Sequence, residues 1–242
     1  MTTRKKTTDE IEWVEKTFEE IKDVVRLLMN AAQTHKRASV LCMGKARASR
    51  LTSPERFNVN VIDYFLLSAV SFELIFVSVE QSLRLLFLLL FRLFPKKPNH
   101  DLLNLYEELQ YRSADEEGIC RDIIQEINVF GQTKNIRPIS EDELIACLKR
   151  HGSSYMDFKY FHVDIKGKSN RNKSSVLSDR DLDIFFCFAA ALICLNIEEM
   201  EKRGFGFPFI WPVPESEMTE RLKALKKRAD SAYDISAIVH GK

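Results

Sequence analysis

At 242 residues, 45% of them hydrophobic, the chain is long enough to bury a sizeable core as one large or two small domains. Thirty-six Lys and Arg against 35 Asp and Glu leave a formal charge of +1, which excludes a whole-molecule field that gathers nucleic acid, so any basic surface must be local. Five cysteines, odd in number and without a C-x-x-C pair, argue against a disulfide framework or a zinc site and fit a reducing, cytoplasmic setting. No metal or other cofactor is expected.

The N-terminus is basic but runs into charged sequence rather than an apolar stretch, so it does not read as a signal peptide. Seven prolines and eight glycines cluster between long segments of helical spacing, which points to an all-α chain. A first helix is predicted at about 8 to 36, opened by Thr7 with Glu10 and carried by Ile11, Val14, Phe18, Ile21, Val25 and Leu28. A polar connector, "KARASRLTSPE", follows. The long helix predicted next, about 56 to 94, stops where Pro95 and Pro98 deny it hydrogen bonds. It holds the one membrane candidate, but Asp63, Glu73, Glu80, Gln81, Arg84 and Arg92 interrupt it, and a buried core helix is the better reading.

"HDLLNLYEEL" reads as a short helix capped by Asn99. Helices at about 114 to 131 and 140 to 162 follow, opened by Ser113 with Glu116 and Ser140 with Glu143. "DIKGKSNRNKSS" reads as a surface loop, and Ser178 with Asp181 opens a buried helix on which Cys187 and Cys194, seven apart, share one face as core residues. An aromatic, proline-rich crossing segment, "FGFPFIWPVPE", leads to a basic helix over 215 to 239. The organisation is an N-terminal helix and connector (1–55), a helical bundle (56–204), and the crossing segment with its C-terminal helix (205–242).

Three pieces in order carry a resemblance: Glu80, Leu83 and Arg84 in "SVEQSLRLLFLLL"; "HDLLNLYEEL" with His100 just after a proline-marked turn; and "SYMDFKYFH" before a final apolar helix. Together they resemble the HEPN superfamily, the helical-bundle domains of prokaryotic toxins, defence systems and nucleotidyltransferase-associated proteins. The resemblance covers about residues 60 to 200, leaving the first helix and the C-terminal arm as additions; at its third element Lys159-Tyr160 stands where many relatives have Arg-Tyr. It implies a helical bundle, a homodimer, and a defence or toxin-related setting.

Ribonucleases of that superfamily carry Arg, four to six residues, then His, in which Arg holds the phosphodiester and His moves the proton. None of His35, His100, His151, His162 and His240 has an Arg five to seven positions before it. The resemblance therefore implies a non-catalytic protein that binds RNA, nucleotide or a protein partner. Two alternatives stand beside it: a divergent metal-independent ribonuclease using His162 and Lys159, and a plain protein-interaction adaptor. Lys159 offers a point charge rather than a planar fork, and pairing with an acidic residue such as Glu80 is its bland role. No Gly-rich phosphate loop, G-x-S-x-G or H-E-x-x-H occurs.

Candidate contacts for a phosphate-bearing ligand are Lys159, His162 and His100, with Lys166, Lys168, Arg171 and Lys173 in the loop and Arg221, Lys223, Lys226, Lys227 and Arg228 on the last helix. Each basic zone alone reads as a solvated face. Phe205, Phe207, Phe209 and Trp211 either cover one end of the bundle or present an apolar patch to a partner, a second copy included.

Overall fold

The structure is a computed structural model that describes residues 11–50, 57–96, 100–113, 118–152, 178–206 and 218–239. Seven α-helices and one small antiparallel sheet make up this part, so the all-α class holds.

The N-terminal helix begins later and ends later than its apolar spacing predicts. Residues Trp13–Glu15 form a strand, β1, and helix α1 runs Phe18–Arg50. Its capping box is Thr17 with Glu20: the Glu20 carboxylate accepts from the Thr17 backbone N–H at 2.8 Å and hydroxyl at 2.9 Å. The Thr7 and Glu10 pair lies outside the described residues. At the other end α1 continues through "KARASR", which is rich in helix formers and holds no proline.

Helix α2 runs Phe57–Phe91 and gives way to β2, Leu93–Pro95, earlier than the expected stop at 94. Between them Arg92 takes a left-handed conformation, φ 57°, which turns the chain into the sheet. β1 and β2 pair antiparallel, with Val14 opposite Phe94, and the ladder extends through Lys16 N–H to Arg92 O and Lys96 N–H to Glu12 O, both 2.8 Å. Trp13 packs on Phe87 with ring centroids 4.4 Å apart and lies beneath the Arg112 guanidinium at 5.6 Å, which seats the sheet on the bundle.

The remaining helices are α3 (Leu102–Arg112), α4 (Ile119–Thr133), α5 (Glu141–His151), α6 (Asp179–Lys202) and α7 (Glu220–Val239). Ser140 and Ser178 cap α5 and α6 as predicted, accepting from Glu143 N–H at 3.2 Å and Asp181 N–H at 3.1 Å. Two other starts differ. Asp101, rather than Asn99, caps α3 by accepting from Asn104 N–H at 3.1 Å. Ser113 closes α3 instead of opening α4: its hydroxyl donates to Leu109 O at 2.7 Å, and α4 begins after Gly118, whose φ of 144° suits glycine. Helix α5 ends at His151, short of 162, and the Gly152 carbonyl accepts from Leu102 N–H at 3.1 Å. A Cβ on Gly152 would collide with the Leu148 carbonyl oxygen of α5 and stand 3.1 Å from Leu103 N, so this end of α5 against α3 depends on glycine.

Small side chains let α1 and α2 meet closely as an antiparallel pair. Ser39 and Ser71 exchange hydroxyl-to-carbonyl bonds of 2.6 and 2.9 Å, and Ser78 donates to Ala32 O at 2.7 Å. Helix α6 runs parallel to α2, with Phe185 edge-on to Phe72 at 5.5 Å and Asn196 Nδ2 donating to Ser82 O at 2.8 Å further along both. Val70–Phe91 is long and apolar enough to cross a bilayer by length and composition, yet 72% of that window is buried inside the chain. Its apolar side chains meet those of α1, α3 and α6.

Candidate functional site

The structure joins two of the pieces that carry the resemblance. Glu80 on α2 is almost fully buried, and its carboxylate pairs with Arg84 one turn along and accepts from His100 Nδ1 at 3.1 Å. His100, at the approach to α3, keeps a third of its side chain exposed. Lys159, His162, Lys166, Lys168, Arg171 and Lys173 lie outside the described residues, as do Phe207, Phe209 and Trp211.

On α7 the basic residues meet carboxylates. Lys226 pairs with Asp230 at 2.6 Å, Arg228 with Glu201 at 2.6 Å, and Lys223 with Glu220 at 2.7 Å. Arg221 bonds both Glu198 and Glu126, and those bonds, Glu198 first, hold its guanidinium even more firmly protonated than usual. Phe205 is 5% exposed and stacks on Phe18 at 4.9 Å, so at this position the aromatic segment covers the bundle.

Cys147, His151 and Asp181 come together at the α5–α6 contact, a set of residue types that nucleophilic catalysis also uses. Their environment is that of a core. His151 is 1% exposed, sits edge-on to Phe72 and Phe185, and has Nε2 3.1 Å from Asp181 Oδ2, while Arg150 donates to Oδ1 at 2.5 Å. Burial pushes the Asp181 carboxyl up, but the bonds from Arg150, His151 and Ser178 outweigh it and hold the group down at about 2. The Cys147 thiol is pushed far up, by burial first and by Asp181 next, so it carries no thiolate.

A cavity of about 630 Å³ opens among α1, the C-terminal end of α4 and the first half of α6. Three-to-four-residue spacing aligns its wall residues: Lys36, Val40 and Met43 on α1, and Arg180, Asp183, Cys187 and Ala190 on α6. The α4 side is shaped by a Schellman turn, in which Asn135 is left-handed at φ 55° and Ile136 N–H donates to Gly131 O at 2.8 Å. That turn places Lys134 and Arg137 at the rim.

Met43, Phe130, Cys187 and Ala190 give the cavity an apolar floor, with Lys36 buried beside them at 4% exposure. Arg180 is fixed: it grips Glu143 through Nε at 2.8 Å and Nη2 at 2.7 Å and donates to the Arg137 and Pro138 carbonyls at 3.0 Å. Four cations face the cavity against Asp183, with Glu143 behind the rim, so the balance is positive. The volume and the mixture of apolar floor and polar rim suit a small ligand with an anionic group. Burial, then Asp183, pushes the Cys187 thiol up to about 12, so it is no nucleophile at neutral pH.

Sequence reading missed this site. The signals were present singly, as Lys36 at helical spacing from Val40 and Met43 and as the basic "KNIR" turn after α4, but nothing local says that they converge. Among the described residues no group of three or more His, Cys, Asp or Glu could hold a metal ion. No protein-family model, no curated protein and no solved structure matches the chain.

Proposed function

We propose that this chain is a non-catalytic, HEPN-like helical bundle that binds a phosphate-bearing ligand, RNA or nucleotide, in the cavity between α1, α4 and α6. The observation that carries the reading is the basic-rimmed, apolar-floored cavity, whose one thiol is held protonated by burial. A ring stacked against the floor and a phosphate at the rim would use both halves of the lining. The meeting of Glu80, Arg84 and His100 supports the HEPN-like part of the proposal. A prokaryotic defence or toxin-related setting follows from that resemblance alone; a homodimer or a protein partner rests on it together with the aromatic segment, and a cytoplasmic location on the five cysteines without a C-x-x-C pair.

The test is to titrate purified protein with ATP and with labelled single-stranded RNA in chelator, scoring binding and cleavage together. Binding without cleavage is expected, weakening with salt and lost both in Lys134→Glu and in Val40→Trp, whose indole would fill the mouth. No binding of either ligand overturns the proposal. Cleavage that disappears in His162→Ala replaces it with the ribonuclease alternative.

A further inference from the structure

Resting on that reading, the contacts behind the cavity rim assign a role to Glu143. Its position is the third of helix α5, where a capping-box carboxylate reaches back to the backbone N–H of its cap. Here the carboxylate reaches the arginines instead. Oε1 accepts from Arg137 Nη2 at 3.0 Å and from Arg180 Nε at 2.8 Å, and Oε2 accepts from Arg180 Nη2 at 2.7 Å.

The two arginines are not equally committed. Arg180 has two further bonds, to the Arg137 and Pro138 carbonyls, and only 21% of its side chain is exposed. Arg137 lines the cavity, is 73% exposed, and shares with Arg180 the oxygen that it touches. Exposed pairs of this kind are weak, whereas a guanidinium gripping phosphate makes two parallel charge-assisted bonds. A phosphate at the rim therefore outcompetes Glu143 for Arg137 and leaves the Arg180 clamp in place.

We propose that Glu143 is an internal competitor for the cavity's ligand: in the empty protein its carboxylate occupies Arg137, and the ligand's phosphate displaces it there while Arg180 keeps Glu143 anchored. The device sets a threshold on affinity, because an anion that uses Arg137 must first take it from a tethered carboxylate. It also discriminates by charge, since a neutral ligand of the same shape offers Arg137 nothing in exchange.

The experiment compares Glu143→Gln, Asp142→Asn and Arg137→Gln with wild type in binding of ATP and of the same labelled RNA. Asp142→Asn removes an equal charge one residue away, and Arg137→Gln leaves the Glu143–Arg180 clamp whole, so it reports on the contact even if Glu143→Gln does not fold. Expected are a gain of about five-fold for Glu143→Gln, the equivalent of one exposed ion pair, little change for Asp142→Asn, and a loss for Arg137→Gln. Equal gains in Glu143→Gln and Asp142→Asn overturn the proposal in favour of long-range charge, and so does unchanged affinity in Arg137→Gln. If wild type and all variants bind neither ATP nor RNA, the cavity reading itself fails along with this one.

Discussion

Replacing Asp181 by Asn tests how much the buried α5–α6 contact depends on one carboxylate. Asp181 is 6% exposed and is met by Arg150 and His151, while its backbone N–H is held by Ser178. The carboxyl falls from 3.8 to about 2 on folding. At about 1.4 kcal/mol per pKa unit, that shift corresponds to roughly 2 kcal/mol of stability. Because the folded value is the lower one, the contribution is complete above about pH 5 and is lost as pH falls through 4 towards 2. Other carboxylates titrate in the same range, so the informative quantity is the difference between wild type and the Asp181→Asn variant. Urea unfolding at a series of pH values from 6.5 down to about 2.5, followed by fluorescence of Trp13 on its Phe87 contact, measures it. The gap should be widest at neutral pH and narrow by about 2 kcal/mol on acidification. A gap that stays constant across the series refutes the reasoning, since the variant's cost would then be packing and not charge.

Two more perturbations probe the interior. Arg221→Met strands Glu126, whose side chain is 3% exposed, and should cost about 3 kcal/mol in urea unfolding; adding Glu126→Gln should recover most of it, and a single-variant cost below about 0.5 kcal/mol would mean that the pair behaves as a surface contact. Gln33 is fully buried and neither amide atom has a hydrogen-bond partner among the described residues, so Gln33→Met, which keeps the shape and removes the unmet polarity, should stabilise the protein by about 1 kcal/mol or more. A drop in melting temperature instead would show that the amide has a partner, such as a bound water.

Where the sequence was legible, the determining interactions were local. Ser140 and Ser178 cap their helices with groups three residues away, and α6 announces itself through an apolar run that every side of the helix buries. The N-terminal start was not legible for the same reason. Thr7 with Glu10 and Thr17 with Glu20 are equally good capping pairs locally, and the choice turns on β1 pairing with residues some eighty positions later. Ser113 could accept forward from a helix-start N–H or donate backward to the helix it follows, and it donates to the carbonyl of Leu109. The cavity was the least legible element. Lys36, Lys134, Arg137 and Arg180 each read as an ordinary helix or turn charge, and only the packing of α1, α4 and α6 brings them around one apolar floor.

The β1–β2 pairing also has a consequence for how copies of this chain meet one another. Among the described residues the sheet has two strands, so each depends on the other to occupy its inner backbone groups, and Leu93–Pro95 has no further strand there to fall back on. If residues 13–15 were removed or pulled away, the edge of β2 would be open for the same segment of a second molecule, whose register is identical by definition. A chain shortened past Glu15 would thus trade an internal fastening for a sticky end, and domain-swapped or clumped species would be the first sign of it.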